Sequence, residues 1–212
     1  MKAYRKLPEG YRAVLRISLL RNRKTALKIS AGSFAALAAV LAAGHLVLPI
    51  GQWYAAESVW EAAAQCAVLL FGYLGYVVLH ELTHAAVMKA VGGGRVIFGF
   101  RGFCAFAGSR VDWFDKSSYL CVALSPLAVW GIAFGALAAL VPRGWFWVVW
   151  VLQAGNVSGA AGDVYAAARL LKLPASVLVR DTGTDMTVYD AGPAAVPKPR
   201  RQSGRQSEGG TE

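Results

Sequence analysis

Four blocks of about 20 apolar residues, separated by short polar links, leave this chain few architectures. They run from about Ile29 to Pro49, Ala62 to Met88, Tyr119 to Val141 and Trp145 to Leu171. As helices rising about 1.5 Å per residue, each is long enough to cross a hydrocarbon core of about 30 Å. The apolar residues come in blocks rather than in the stripes that mark helices of a water-soluble core. Of the 212 residues 56% are hydrophobic and only 16% charged, against about a quarter charged in ordinary soluble domains. The expected fold class is an all-α membrane protein of four transmembrane helices.

A formal charge of +10 raises the question of nucleic acid, and the distribution answers it. Nine cations (Lys2, Arg5, Lys6, Arg12, Arg16, Arg21, Arg23, Lys24 and Lys28) precede the first apolar block, and Lys198, Arg200, Arg201 and Arg205 close the chain. Basic flanks beside apolar spans set topology and meet anionic headgroups. No nucleic-acid-binding fold or aromatic-basic platform accompanies them, so nucleic acid is not an expected partner. The link between blocks one and two has no Lys or Arg and carries Glu57 and Glu61. The next link carries Lys89, Arg95, Arg101, Arg110 and Lys116, and the last is the tight turn Pro142-Arg143-Gly144. This alternation predicts a multi-pass protein of the cell membrane with both termini cytoplasmic. The basic start is too long for a signal peptide and no cleavage site follows, so a retained first span is expected.

After Gly92-Gly93-Gly94, the stretch from Arg95 to Phe106 is β-prone and too short to span as a helix. It predicts a short β-hairpin between the second and third helices, packed against them or lining a cavity. It serves either as a plain cytoplasmic hairpin or as an edge strand that takes an extended substrate by strand addition. Cys66, Cys104 and Cys121 are odd in number and widely spaced, which suggests no disulfide framework; they read as small buried hydrophobes.

Near the end of the second block stands His80-Glu81-Leu82-Thr83-His84, an HExxH segment. Helical residues four apart share a face, so His80 and His84 offer two imidazoles to one metal ion. Glu81 stands beside them, where a carboxylate takes a proton from metal-bound water. Two histidines and a glutamate in a membrane helix are costly unless paired or metal-bound. Catalytic zinc takes three protein ligands and keeps one position open. The third is sought by elimination. His45, the remaining histidine, lies at the outer end of span one and reads as an interfacial residue; Glu208 and Glu212 lie in the tail. Among the aspartates, Asp112 and Asp115 fall in the middle link, and Asp181, Asp185 and Asp190 lie beyond span four. Asp163 is left inside a span. It comes 18 residues after Trp145, as His80 comes 18 after Ala62. Spans two and four run in the same direction, so both residues sit roughly 27 Å from the outer ends. The competing role for Asp163 is a helix-end pair with Arg169 or Lys172.

Asn156 lies two turns before Asp163 on the same face, suited to hold a substrate backbone or an oxyanion, or else to tie helices together. Gly155, Gly159 and Gly162 allow close helix approach or local unwinding. Ser125-Pro126 marks a kink in the third span rather than a nucleophile.

The HELTH segment, the β-prone link and the later run Asn156-Val-Ser-Gly-Ala-Ala-Gly-Asp163 together resemble a bacterial membrane family of zincin peptidases, over roughly Ala62 to Tyr189. More distantly they are similar to the site-2 protease group of intramembrane metalloproteases. In that group the second motif has an asparagine, prolines and an Asp-Gly pair; here glycines replace the prolines and the order is Gly162-Asp163. The resemblance implies a catalytic core of spans two to four with span one accessory. It implies Zn2+ as cofactor on His80, His84 and Asp163, Glu81 activating water, and a peptide bond of a membrane-associated protein or peptide as substrate. The implied organisation is a basic cytoplasmic segment over 1–28, a four-helix membrane domain over 29–190 and a disordered basic tail over 191–212. The bilayer is the other expected partner. Two other readings compete: a zinc-binding membrane scaffold without turnover, and a metal transporter. The transporter lacks a second intramembrane carboxylate path.

Overall fold

The computed structural model describes residues 2–18, 22–51, 58–101, 104–183 and 185–191. Apart from Ala191, the expected disordered tail with its cations and glutamates lies outside the described residues, as does Glu57.

Among the described residues, three helices are long and apolar enough to cross a membrane: α1 (Arg23–Val47), α2 (Val59–Ala90) and α3 (Lys116–Leu140). Each begins where a side chain takes up the free N–H groups of a first turn. Asn22 accepts from the amides of Lys24 and Thr25, Ser58 from Glu61 and Asp115 from Ser118. Burial pushes the Asp115 carboxyl up, but bonds from the Ser118 amide and hydroxyl and from the Lys2 amide outweigh it and hold the group below its ordinary range. Large apolar side chains face outward along these helices, Phe34 at 71% exposure, Phe71 at 68% and Ile132 at 75%. Such a surface suits lipid and not water.

The expected fourth span, Trp145 to Leu171, is two helices: α4 (Arg143–Gly159) and α5 (Ala161–Leu171). They meet at Ala160, whose ψ of 4° departs from the helical value near −42°. Gly155, five residues earlier, brings α4 against α2; a Cβ there would stand 2.7 Å from the Tyr73 ring.

The all-α expectation needs correction. The expected hairpin is present as β3 (Ile97–Arg101) and β4 (Cys104–Gly108). A second sheet has five antiparallel strands in the order β1 (Ala3–Tyr4), β5 (Trp113–Asp115), β6 (Leu178–Asp181), β7 (Asp185–Ala191) and β2 (Tyr11–Ser18). The N-terminal residues taken for a plain basic segment therefore pair with distant ones, β1 with residues more than 100 positions away and β2 with residues more than 160 away. Tyr11 faces Ala191 and Ser18 faces Asp185, with an irregularity between Ala13 and Leu15. Along β7, Met186 and Val188 point inward and their neighbours less so, the period of two expected of a half-covered strand.

Two apolar clusters organise the interior. One joins sheet to helix ends and includes Ile17, Met88, Phe114, Val122, Leu170 and Val188. The other lies among the helices and includes Leu48, Tyr76, Phe134, Trp147 and Leu152. Helix α2 runs between them, with buried residues at Tyr76, His80, His84 and Met88, a spacing of four. The two histidines thus fall at the seam between the clusters. At the same level the hairpin meets the sheet: Ser109 N–H donates to the Asp181 carbonyl at 2.7 Å, and Gly108 lies directly on the Gly183 backbone. Gly183 has φ +85°, so the β6–β7 turn needs glycine there.

Candidate metal centre

Helical periodicity places His80 above His84 on the buried side of α2, their ring centroids 4.9 Å apart. Asp163 reaches them from the first turn of α5. The break at Ala160 puts this carboxylate near a helix N-terminus, where the backbone dipole favours negative charge. His80 Nε2 is 3.4 Å from Asp163 Oδ2, and His84 Nε2 is 3.6 Å from Asp163 Oδ1. The competing pairing with Arg169 or Lys172 is not what the carboxylate makes: its ion-pair contacts among the described residues are these two rings.

Two observations test the fit to a metal ion. Donor atoms from the three side chains lie within 4.8 Å of one another. Taken pair by pair, the separations of 3.4 and 3.6 Å, each to a different Asp163 oxygen, are those of neighbouring ligands on an ion with tetrahedral bonds of about 2.0–2.2 Å, roughly 3.3–3.6 Å apart. The second observation concerns the far nitrogens. His84 Nδ1 lies 2.8 Å from the Val122 carbonyl, which only accepts, so Nδ1 carries a proton and in the neutral ring Nε2 presents its lone pair. His80 Nδ1 lies 2.9 Å from the Tyr76 hydroxyl, and that hydroxyl gives its single proton to Asn156 Oδ1 at 3.0 Å. The phenol oxygen must then accept from His80 Nδ1–H, so Nε2 is again free. A donor set of two neutral imidazoles and one carboxylate suits zinc.

Glu81, one residue along the helix, lines a cavity of about 360 Å³ together with His80, His84 and Asp163. Ala107 of β4 lines the same cavity, so the hairpin forms a wall of the site beside Glu81. Other walls come from Ile29 and Ser30 of α1, Tyr119 of α3 and Asp181 of β6. Burial raises the Asp181 carboxyl above the ordinary aspartate range, with the Asp163 carboxylate adding to the rise; the Tyr119 hydroxyl and Gly183 N–H pull it partly back.

Asn156 does not line this cavity. It is wholly buried, with Oδ1 on the Tyr76 hydroxyl and Nδ2 facing the Leu127 carbonyl at 3.4 Å and Gln153 Oε1 at 3.5 Å. Its amide is committed to the helices and reaches the centre through Tyr76. His45 lies away from the centre, its Nδ1 accepting the Ile50 N–H at 3.2 Å as α1 ends.

Against families of known proteins, residues 73–178 match a model described as "putative zincin peptidase". That is half of the chain, and it includes His80, Glu81, His84 and Asp163. The chain belongs to the zincin peptidase family. The matched part of this family member starts on α2 and ends on β6, leaving out α1 and the strands β1, β2 and β7. The family's description does not extend to site-2 proteases. No curated protein and no solved structure matches the chain.

Tyr76 and the Val122 carbonyl were not singled out in the sequence, although each had a local signal. Tyr76 stands four residues before His80 on the same helix face, and Val122 stands four before Pro126.

Proposed function

We propose that this chain is a membrane-embedded zinc metallopeptidase, related in mechanism to site-2 proteases, that hydrolyses a peptide bond of a membrane-associated substrate near the cytoplasmic face. The observation that carries the reading is the convergence of His80, His84 and Asp163 from two separate helices, with Glu81 beside them in one cavity.

In this reading His80, His84 and Asp163 hold the zinc. Bound zinc supplies Lewis acidity, bringing the pKa of water towards about 7 and polarising a carbonyl. Glu81 takes a proton from the attacking water as its oxygen joins the carbonyl carbon. When the C–N bond breaks, Glu81 returns that proton to the departing amine nitrogen. Asn156 and Tyr76 orient His80 rather than touch the substrate. The outer edge of β4, where Ala105, Phe106 and Ala107 line the cavity, offers an extended substrate a strand to pair with.

Chain topology supports a four-crossing arrangement. Residues before α1, between α2 and α3, and after α5 share one five-stranded sheet, so they belong to one side of any membrane. An even number of crossings must separate them. With α1 and α2 forming one pair, α3 needs α4 as its return. Lys and Arg flanking this shared side favour the cytoplasm, which would hold both termini.

Purified protein should contain one zinc per chain, and Glu81→Gln should keep the metal. Membrane proteomes from cells making wild type should carry new peptide termini that the Glu81→Gln cells lack. Identical termini from both, or protein without zinc, would remove the peptidase reading. Unchanged termini combined with loss of assembly in His80→Ala would instead favour a zinc-binding scaffold.

A further inference from the structure

Helix α3 contains a proline at position 126, yet the helix continues without a break from Lys116 to Leu140. Proline has no N–H, so the carbonyl four residues earlier loses its normal helical donor. That carbonyl belongs to Val122, which is 1% exposed and cannot turn to water. Left alone it would be an unsatisfied buried acceptor in a membrane helix, a costly state. Instead it accepts two bonds from elsewhere, one from His84 Nδ1–H at 2.8 Å and one from the Ser125 hydroxyl at 2.9 Å.

We propose that Pro126 is a positioning residue of the metal centre: by withholding an N–H it leaves the Val122 carbonyl as the acceptor that fixes the ring orientation and tautomer of His84. The inference rests on the zinc reading of the site and adds a role to a residue that the sequence alone reads only as a kink. A metal-binding histidine needs its second nitrogen anchored, and loss of such an anchor typically weakens metal binding 10- to 100-fold. His80 obtains its anchor from a side chain, Tyr76; His84 obtains it from the backbone of a neighbouring helix. A backbone carbonyl in mid-helix is normally occupied, so an acceptor can be offered there only if the helix gives up a bond. Proline at the fourth following position does that without disturbing the side chain at 122.

The decisive comparison is Pro126→Ala in the full-length protein, held in lipid nanodiscs. Alanine restores the N–H, which then competes with His84 for the Val122 carbonyl. Zinc affinity, measured by competition with a chromophoric chelator, should fall about 10- to 100-fold. The visible spectrum of the cobalt-substituted protein should shift as His84 reorients. Thermal stability of the metal-free variant should hold or rise, because α3 gains a backbone bond. These opposite signs separate positioning from a merely structural proline, for which affinity and metal-free stability would fall together. As rescue, lactic acid in place of residue 126 also lacks an N–H and should keep wild-type affinity. Wild-type affinity and spectrum in Pro126→Ala would overturn the inference while leaving the zinc reading intact. Failure of the wild type itself to bind zinc would overturn that reading first.

Discussion

Each imidazole of the centre has a near nitrogen facing Asp163 and a far nitrogen that decides what the near one can do. For His80 the far nitrogen depends on a chain of two further residues, Tyr76 and Asn156, both buried. Tyr76→Phe keeps the ring and its edge contacts but removes the oxygen that accepts from His80 and donates to Asn156. Zinc affinity should fall about 10-fold or more, and stability by about 1–2 kcal/mol as Asn156 Oδ1 and His80 Nδ1–H lose partners. Chelator competition and thermal melting of the metal-free protein check the two parts; an unchanged affinity would detach Tyr76 from the centre. At this scale the sequence carries much of the site. His80, Glu81 and His84 are legible because helical period is local, and Asp163 because few carboxylates enter the apolar blocks. Asn156 was legible as a buried amide, but not its partner. Whether an amide meets a substrate or a tyrosine depends on how two helices rotate against each other, which spacing along one of them does not fix.

Among the elements, the long helices are legible and the five-stranded sheet is not. A run of 20 apolar residues carries its own evidence, whereas β2 acquires meaning only by pairing with β7, far along the chain. Its arginines Arg12 and Arg16 also satisfied a topology argument, which hid the strand pattern Tyr11-Arg-Ala-Val-Leu-Arg-Ile-Ser. Cys66 and Cys121 are a smaller instance. Expected as buried, they are free and exposed, because on a helix bordered by lipid both the inward and outward faces are apolar. Helix α1 shows which contacts matter between such elements. Trp150 Nε1 of α4 donates to the Val40 carbonyl at 2.7 Å, with its indole over Gly44, where any Cβ would collide with the ring. Ser33 adds a bond to the Ser158 carbonyl at 2.8 Å. Gly44→Leu should therefore force α1 away from α4 and cost about 1–3 kcal/mol. Since α1 walls the cavity without offering a ligand, zinc affinity should stay within about twofold of wild type. A large loss of zinc binding in this variant would mean that α1 is part of the centre and not an accessory.

For the molecule as a whole, the sheet acts as a constraint on membrane topology. Strands from before α1, from the α2–α3 link and from after α5 are hydrogen-bonded to one another, and backbone bonds of this kind do not extend across a bilayer. If only the three helices that meet the length and hydropathy requirement crossed, the strands after α5 would lie on the opposite side from β1 and β2. In the proposed four-crossing topology α4 would resolve the conflict. Its 17 residues span about 25 Å, short for a bilayer core of about 30 Å, and the chain continues into α5 after the break. In that topology a helix that ended inside the membrane would let a new helix begin there, and Asp163 sits in the first turn of α5. Sidedness is therefore open to direct measurement. Single cysteines in place of Lys6, Lys89 or Arg143, all exposed, would be introduced after replacing Cys66, Cys104 and Cys121 by alanine. In intact cells a membrane-impermeant thiol reagent should label the position 143 variant and spare those at 6 and 89. Opening the cells should make all three react. Equal labelling of positions 6 and 143 in intact cells would place the α3–α4 turn on the same side as the sheet, and α4 could then no longer be the return crossing.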